Sequence, residues 1–235
     1  SNYISLRNQK ANLIIDAGSS PNKKFSSDYQ AGALSFEFVS NGEKIFTNAG
    51  YHNKKNLKLN KLSKSTALHN VLMIDDNSSC KFKMINSNFE IKDGLKVTKK
   101  NITFDKNYWN IILTHDGYFK KYNLIYERKI EFYPQNNKLI GTEKLIFKKN
   151  ASNLKFDIRF HLDPSAKIMK TQDKKSIFIE IKNEGWKFMC DNHKIDIDSG
   201  FYFGKKNTYL ENQNIYVSGI TNTNKNDIKW ELVKI

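Results

Sequence analysis

Arginine is nearly absent. Only Arg7, Arg128 and Arg159 occur among the 39 basic residues of this 235-residue chain, whose formal net charge is +15. Recognition of phosphates and base edges favours the planar guanidinium over the ammonium. The lysines are spread along the chain, whereas an informative basic patch is localised. Scarce arginine beside abundant lysine, asparagine and isoleucine is the imprint of an AT-rich gene. A nucleic-acid partner is therefore not expected, although so large a charge would steer an anionic polymer toward the surface. Cysteine is also scarce. Cys80 and Cys190 are too few for a disulfide framework, and one bridge between them is not readable from spacing. No run of about 18 apolar residues is present, so no membrane-spanning segment is expected. The start, Ser1-Asn2-Tyr3-Ile4-Ser5-Leu6-Arg7, lacks the apolar core of a signal peptide.

Catalytic signatures are missing too. The histidines at 52, 69, 115, 161 and 193 form no HxH, HExxH or Cys/His cluster. There is no P-loop, no GxGxxG after a strand and no GxSxG elbow. No metal and no cofactor are expected.

What is plentiful is aromatic: 16 Phe, 11 Tyr and 3 Trp against 3 Pro, a balance that suits extended strands. Leu34, Phe36 and Phe38 alternate with polar residues before Asn41-Gly42, a hairpin turn with Lys44–Thr47 as the return strand. Phe89–Ile91 and Leu95–Val97 flank Asp93-Gly94 as a second hairpin. Strands are expected at Leu13–Ile15, Tyr108–His115, Tyr122–Tyr133 and Leu139–Phe147. Further short strands fall near Ile177–Ile181, Trp186–Met189, Ile215–Gly219 and Trp230–Val233. Residues 52–61 read as a polar loop. In Phe156–Leu162 the apolar residues take one face, and Asp157, Arg159 and His161 the other. No apolar i, i+3, i+4, i+7 pattern exceeds about ten residues. The fold class is all-β, an antiparallel β-sandwich, read as one domain over residues 1–235.

Within residues 63–79, His69 and Asn70 stand in a short apolar run with strand character. A strand apolar on both faces is usually buried, and a polar ring inside it must find partners. His69 is either a satisfied core histidine or a reactive group held rigidly, and the residues alone leave both open. His115 reads as a strand-end histidine before an Asp-Gly turn, and Tyr118 as a packing aromatic. Arg128 and Glu127 read as a plain cross-strand charge pair. His161 is expected solvated, or bonded to Asp163 or Arg159.

Several segments occur in the order seen in one family. They are Ala31-Gly32-Ala33-Leu34-Ser35-Phe36-Glu37, Asn48-Ala49-Gly50, Ser65-Thr66-Ala67-Leu68-His69-Asn70 and His115-Asp116-Gly117-Tyr118. Gly141-Thr142-Glu143, Arg159–Pro164 and Gly185-Trp186 follow. In these the chain resembles the C-terminal domain of heparinase II/III-like proteins, in the branch of Gram-negative and particularly alphaproteobacterial members. The resemblance implies a β-sandwich packed behind an N-terminal α/α toroid, which is absent from this stretch of sequence. It implies a polysaccharide lyase that cleaves uronic-acid polymers such as heparan sulfate or alginate by β-elimination. One group neutralises the uronate carboxylate, a base removes the C5 proton, and an acid protonates the departing O4. In such proteins a tyrosine from the helical domain and a histidine from the sandwich serve the site. His69 matches that histidine, and Asn70, His115, Tyr118, Arg128, Arg159 and His161 become candidate substrate-binding residues. The implied partners are an anionic polysaccharide and the toroid, and the implied location is the periplasm or cell envelope.

The sequence departs from the family in two places. Where polysaccharide-cleaving members carry His-x-His-x-Asp, this chain has Asp28-Tyr29-Gln30-Ala31-Gly32. Where some place a zinc-binding histidine, it has Val71. The isolated chain is expected to have little or no lyase activity. The competing readings are a non-catalytic carbohydrate-binding or structural module, and a polyanion binder driven by lysine charge.

Overall fold

The computed structural model describes residues 2–52, 55–149, 153–205, 208–222 and 227–235. In chain order the first four strands are β1 (Tyr3–Arg7), β2 (Ala11–Asp16), β3 (Phe36–Ser40) and β4 (Glu43–Phe46). Next come α1 (Leu57–Ser63), β5 (Leu72–Ile74), β6 (Lys81–Ile85), β7 (Asn88–Asp93), β8 (Val97–Phe104) and β9 (Trp109–His115). The middle of the chain holds α2 (Phe119–Tyr122), β10 (Leu124–Tyr133), β11 (Lys138–Phe147), β12 (Lys155–His161) and β13 (Lys167–Lys170). It closes with β14 (Ser176–Ile181), β15 (Glu184–Cys190), β16 (Lys194–Tyr202), β17 (Leu210–Ile220) and β18 (Asp227–Lys234).

These strands form an antiparallel β-sandwich. One layer is an eight-stranded sheet in the order β13-β14-β15-β18-β11-β10-β9-β8. The facing layer is made of two four-stranded sheets, β1-β2-β3-β4 and β16-β17-β12-β5. They meet at an antiparallel bridge between Phe46 and Leu162, beside which the Thr47 N–H donates to the His161 carbonyl at 2.9 Å. β6 and β7 form a separate hairpin.

The alternation in the sequence explains the layering. Phe36 and Phe38 point inward from β3, and Phe160 does so from β12. They meet the tryptophans of the eight-stranded sheet: Phe36 on Trp230 (5.6 Å), Phe38 on Trp186 (5.8 Å) and Phe160 on Trp230 (4.8 Å between centroids). Aromatic residues bury the largest areas per side chain, so this layer of rings dominates the hydrophobic term. Asn41 and Gly42 both have positive φ (46° and 84°), the type I′ geometry that a two-residue hairpin needs.

Three local expectations are corrected. Asp93-Gly94 is not a hairpin turn: β7 turns back to β6 through Asn86-Ser87, both at positive φ, and β8 pairs with β9. The stretch expected as a loop at 52–61 carries the start of α1, capped where Asn56 Oδ1 accepts the Leu59 N–H. Residues 53 and 54 lie outside the described residues. His69 does not sit in a strand: it lies in an extended link between a 3-10 turn, Thr66–Leu68, and β5. Both cysteines are free.

Candidate functional site

The Ser65–Asn70 link crosses the seam between the two four-stranded sheets. Its 3-10 turn is pinned from three sides. Thr66 Oγ1 donates to the Ala31 carbonyl (2.8 Å) and accepts the Ser79 N–H (2.9 Å), and the Ala49 N–H donates to the Leu68 carbonyl (3.0 Å). Side-chain hydroxyls that bond backbone groups hold such turns where regular ladders end. The next residue, His69, is thereby fixed at the backbone, its N–H donating to the Thr66 carbonyl at 3.1 Å.

The His69 ring is only 4% exposed. Its Nδ1 lies 2.9 Å from the Ser65 carbonyl. A carbonyl only accepts, so Nδ1 carries the proton and Nε2 is left with its lone pair. No described residue hydrogen-bonds Nε2. The ring borders a cavity of about 310 Å³ together with Tyr3, Asp16, Tyr29, Gln30, Glu37 and Asn48. Burial lowers the His69 pKa to about 4, with the Ser65 carbonyl opposing the shift. The imidazole is therefore neutral at pH 7 and presents an acceptor, not a cation.

The cavity wall is acidic. Asp16, Asp28 and Glu37 border it, and no lysine or arginine among the described side chains does. Burial raises the Asp16 carboxyl to about 6, against the pull of the Gly18 N–H and the Lys100 charge. Glu37 Oε1 accepts the Asn48 N–H at 3.2 Å. The charge of +15 is thus not concentrated at His69.

Of the seven residues singled out from sequence, His69 alone borders this cavity. Asn70 is fully buried and serves as a brace. Its side-chain amide donates to the Phe36 carbonyl (2.8 Å), and its Oδ1 accepts the His161 N–H (2.5 Å). Its own N–H donates to Asn48 Oδ1 at 2.8 Å. One residue so ties β3, β12 and the Asn48 turn together. Behind it lies Arg128, which is not paired with Glu127. The Arg128 guanidinium bonds Glu143 through Nε and Nη2, and its Nη1 donates to the carbonyls of Leu34 (2.8 Å) and Asn70 (2.5 Å). Glu143 also accepts from Trp230 Nε1 at 2.7 Å and from the Tyr126 hydroxyl. Glu127 pairs instead with Lys99. A buried ion pair persists only when its remaining hydrogen-bonding groups are satisfied, and these are.

His115 and Tyr118 are equally enclosed. His115 Nδ1 accepts the Gly117 N–H at 3.1 Å, and burial lowers its pKa to about 3, with the Arg128 charge adding to the effect. The Tyr118 hydroxyl donates to the Leu72 carbonyl at 3.1 Å, and burial pushes its pKa upward. His161 is neither solvated nor bonded to Asp163 or Arg159. It is buried, and its Nε2–H donates to the Ala67 carbonyl at 2.9 Å. Its pKa is lowered to about 4, chiefly by burial. Arg159 stands apart on the outer face of β12. It bonds Asp198 and Asn214, both at 2.9 Å, and stacks over Tyr216.

The structure therefore gathers His69, Asn70, His161 and Arg128 into one connected network and leaves Arg159 outside it. Sequence reasoning did not single out Asp16, Gln30, Glu37 and Asn48 as cavity residues. Gln30, Glu37 and Asn48 lie in or beside the segments that carry the family resemblance, which was the available signal. Among the described residues no group of three or more His, Cys, Asp or Glu side chains is placed to hold a metal ion.

No curated protein sequence matches the chain. Solved structures do. Heparan sulfate lyase HepC from Pedobacter heparinus superposes with a TM-score of 0.78 at 12% identity, over 99% of this chain and 35% of that one. A heparinase III structure gives 0.72 at 15% identity, over 100% of this chain and 35% of that one. The chain thus spans about a third of the length of these proteins and shares the fold of that part. The family model for the heparinase II/III-like C-terminal domain matches residues 1–231, and the chain belongs to that family.

Proposed function

We propose that this chain is the sandwich half of a polysaccharide lyase, a single domain that lends His69 to an active site shared with a helical α/α toroid. The reaction is β-elimination on a uronic-acid-containing, anionic polysaccharide, in the periplasm or cell envelope. The observation that carries the reading is His69 itself. It is a neutral imidazole with a fixed tautomer, its Nε2 lone pair bordering a cavity, in a family whose neighbours include a heparan sulfate lyase.

The site's electrostatics divide the labour. A catalytic base works best with a pKa near the working pH, and burial holds His69 at about 4. His69 is thus suited to accept a hydrogen bond and orient a hydroxyl or the reacting sugar. The charge that neutralises the uronate carboxylate is expected from the opposing wall, because the charged side chains described on this wall are all carboxylates. Asn70, Arg128 and His161 act as positioning residues that hold the His69 link, and His115 and Tyr118 pack beneath it. Arg159 is left as the one substrate-binding candidate with an exposed edge.

The test compares this chain with its parent protein carrying the toroid, following the ultraviolet absorbance of unsaturated uronate on heparan sulfate and on alginate. Product from the two-domain protein and none from the 235-residue chain is the expected outcome. Product from the isolated chain, or from neither protein on any uronic-acid polymer, would overturn the reading.

A further inference from the structure

A second cavity, of about 490 Å³, lies apart from the one at His69 and shares none of its lining residues. Three pieces of chain enclose it: Asn77–Ser79 after β5, the base of the β6–β7 hairpin, and the turn from Asp116 through α2. Its volume falls within the range of small-molecule sites. Its charge is opposite to that of the His69 cavity. Lys81, Lys92, Lys120 and Lys121 line it, against two carboxylates, Asp93 and Asp116. Both carboxylates are engaged: Asp93 pairs with Lys120 at 2.7 Å, and Asp116 Oδ1 accepts the Lys96 N–H at 2.6 Å. Lys81, Lys92 and Lys121 are exposed and make no ion pair with a described residue.

The rest of the lining is suited to a sugar. Ser78, Asn77 and Tyr122 supply hydroxyl and amide groups. The Lys121 ammonium lies 4.7 Å from the Tyr122 ring centroid, so one rim combines an aromatic face with a cation. The floor is rigid. Ser78 Oγ accepts the Thr66 N–H at 3.0 Å, and the Asn77 amide donates to the Tyr122 hydroxyl at 3.0 Å. Thr66 opens the 3-10 turn that precedes His69, so the pocket is built on the back of the same link.

We infer that this pocket binds a sulfated or carboxylated pyranose, a second anionic-sugar subsite separate from the His69 cavity. Three lysine ammonium groups take the anion, and the hydroxyl-lined floor and Tyr122 take the ring. A compact, open pocket of this size suits one or two sugar units better than an extended nucleic-acid backbone, which calls for a continuous basic groove. The inference does not rest on the lyase reading, since binding here needs neither His69 nor the toroid.

The test titrates the 235-residue chain with a heparan sulfate tetrasaccharide by calorimetry. One variant carries Lys81→Gln, Lys92→Gln and Lys121→Gln. A control of equal charge carries Lys44→Gln, Lys167→Gln and Lys175→Gln, at exposed positions on β4, on β13 and beyond β13. The pocket variant is expected to weaken binding at least about fivefold, the combined loss of three exposed charge contacts, and the control less than about twofold. Equal losses in both variants would mean that net charge alone attracts the sugar, and would overturn the site. So would no loss in either, or equal binding of a single-stranded oligonucleotide that the pocket variant also loses. Full lyase failure with intact pocket binding would leave this inference standing and sink the proposed function alone.

Discussion

Gly32 lies directly against the imidazole of His69. A Cβ built on Gly32 would fall 2.4 Å from His69 Cδ2 and 2.9 Å from its Nε2. The absence of a side chain at 32 is therefore what lets the ring fold back under the Ala31–Ala33 backbone and reach the Ser65 carbonyl.

Gly32→Ala is expected to displace the ring while leaving the sandwich folded, at an overpacking cost of about 1–3 kcal/mol. The check is a pair of measurements: thermal unfolding, and the His69 imidazole nitrogen shifts by NMR. A retained fold with a changed Nδ1/Nε2 pattern is the expected result. Unchanged nitrogen shifts would show that the ring does not depend on the gap at 32.

His69 should also resist protonation. Its pKa is held at about 4 by burial, well below the ordinary histidine value of about 6.5. Titration of the ring by NMR should show Nδ1 protonated and Nε2 bare throughout neutral pH. A midpoint above about 6 would contradict the burial argument.

Arg128 and Glu143 form the buried pair behind Asn70, with both side chains fully enclosed. Removing one partner strands the other charge in the interior, at a cost of about 3–5 kcal/mol. Arg128→Met and Glu143→Gln should each lower the denaturation midpoint sharply. A variant with near-native stability would return Arg128 to the list of direct substrate contacts.

Acid should destabilise the fold at pH values above the ordinary carboxylate range. His69, His115 and His161 all have folded pKa values lowered to about 3–4. Between these values and about 6.5 the unfolded chain binds more protons than the folded one, so stability falls as pH drops through that window. Asp16, raised to about 6, works the other way between about 6 and 4, because there the folded state holds the extra proton. Three groups outweigh one. Urea midpoints measured from pH 7 to 5 should decline, and His115→Phe should flatten the decline. A rising midpoint would contradict the assignment of neutral buried histidines.

Much of the sandwich was readable because its signal is local. Phe36 and Phe38 alternate around a polar partner, Asn41-Gly42 supplies two positive-φ residues, and Phe156–Phe160 alternates in the same way. The Asp93-Gly94 turn misled because the same residue types also serve a crossing between separate sheets. There Gly94 is needed for its approach to Ser20, since a Cβ would lie 2.9 Å from the serine Cβ. The site was harder. His69 and Asn70 are adjacent in sequence yet do opposite things, one bordering a cavity and the other spending every polar group on four separate chain segments. Nothing local separates them. The acidic lining at Asp16, Asp28 and Glu37 also escaped notice, because the three residues converge from β2, β3 and the turn between them.

The most direct test of the central claim is turnover of the two-domain protein with His69→Ala, beside circular dichroism of the same variant. Misplacing a reacting group by about 1 Å costs about 10²-fold, so a loss of at least about that size in unsaturated-uronate formation, with folding retained, is the predicted result. Turnover within a factor of about three of the unaltered protein, or a loss that merely tracks unfolding, would contradict it and leave His69 as a core histidine.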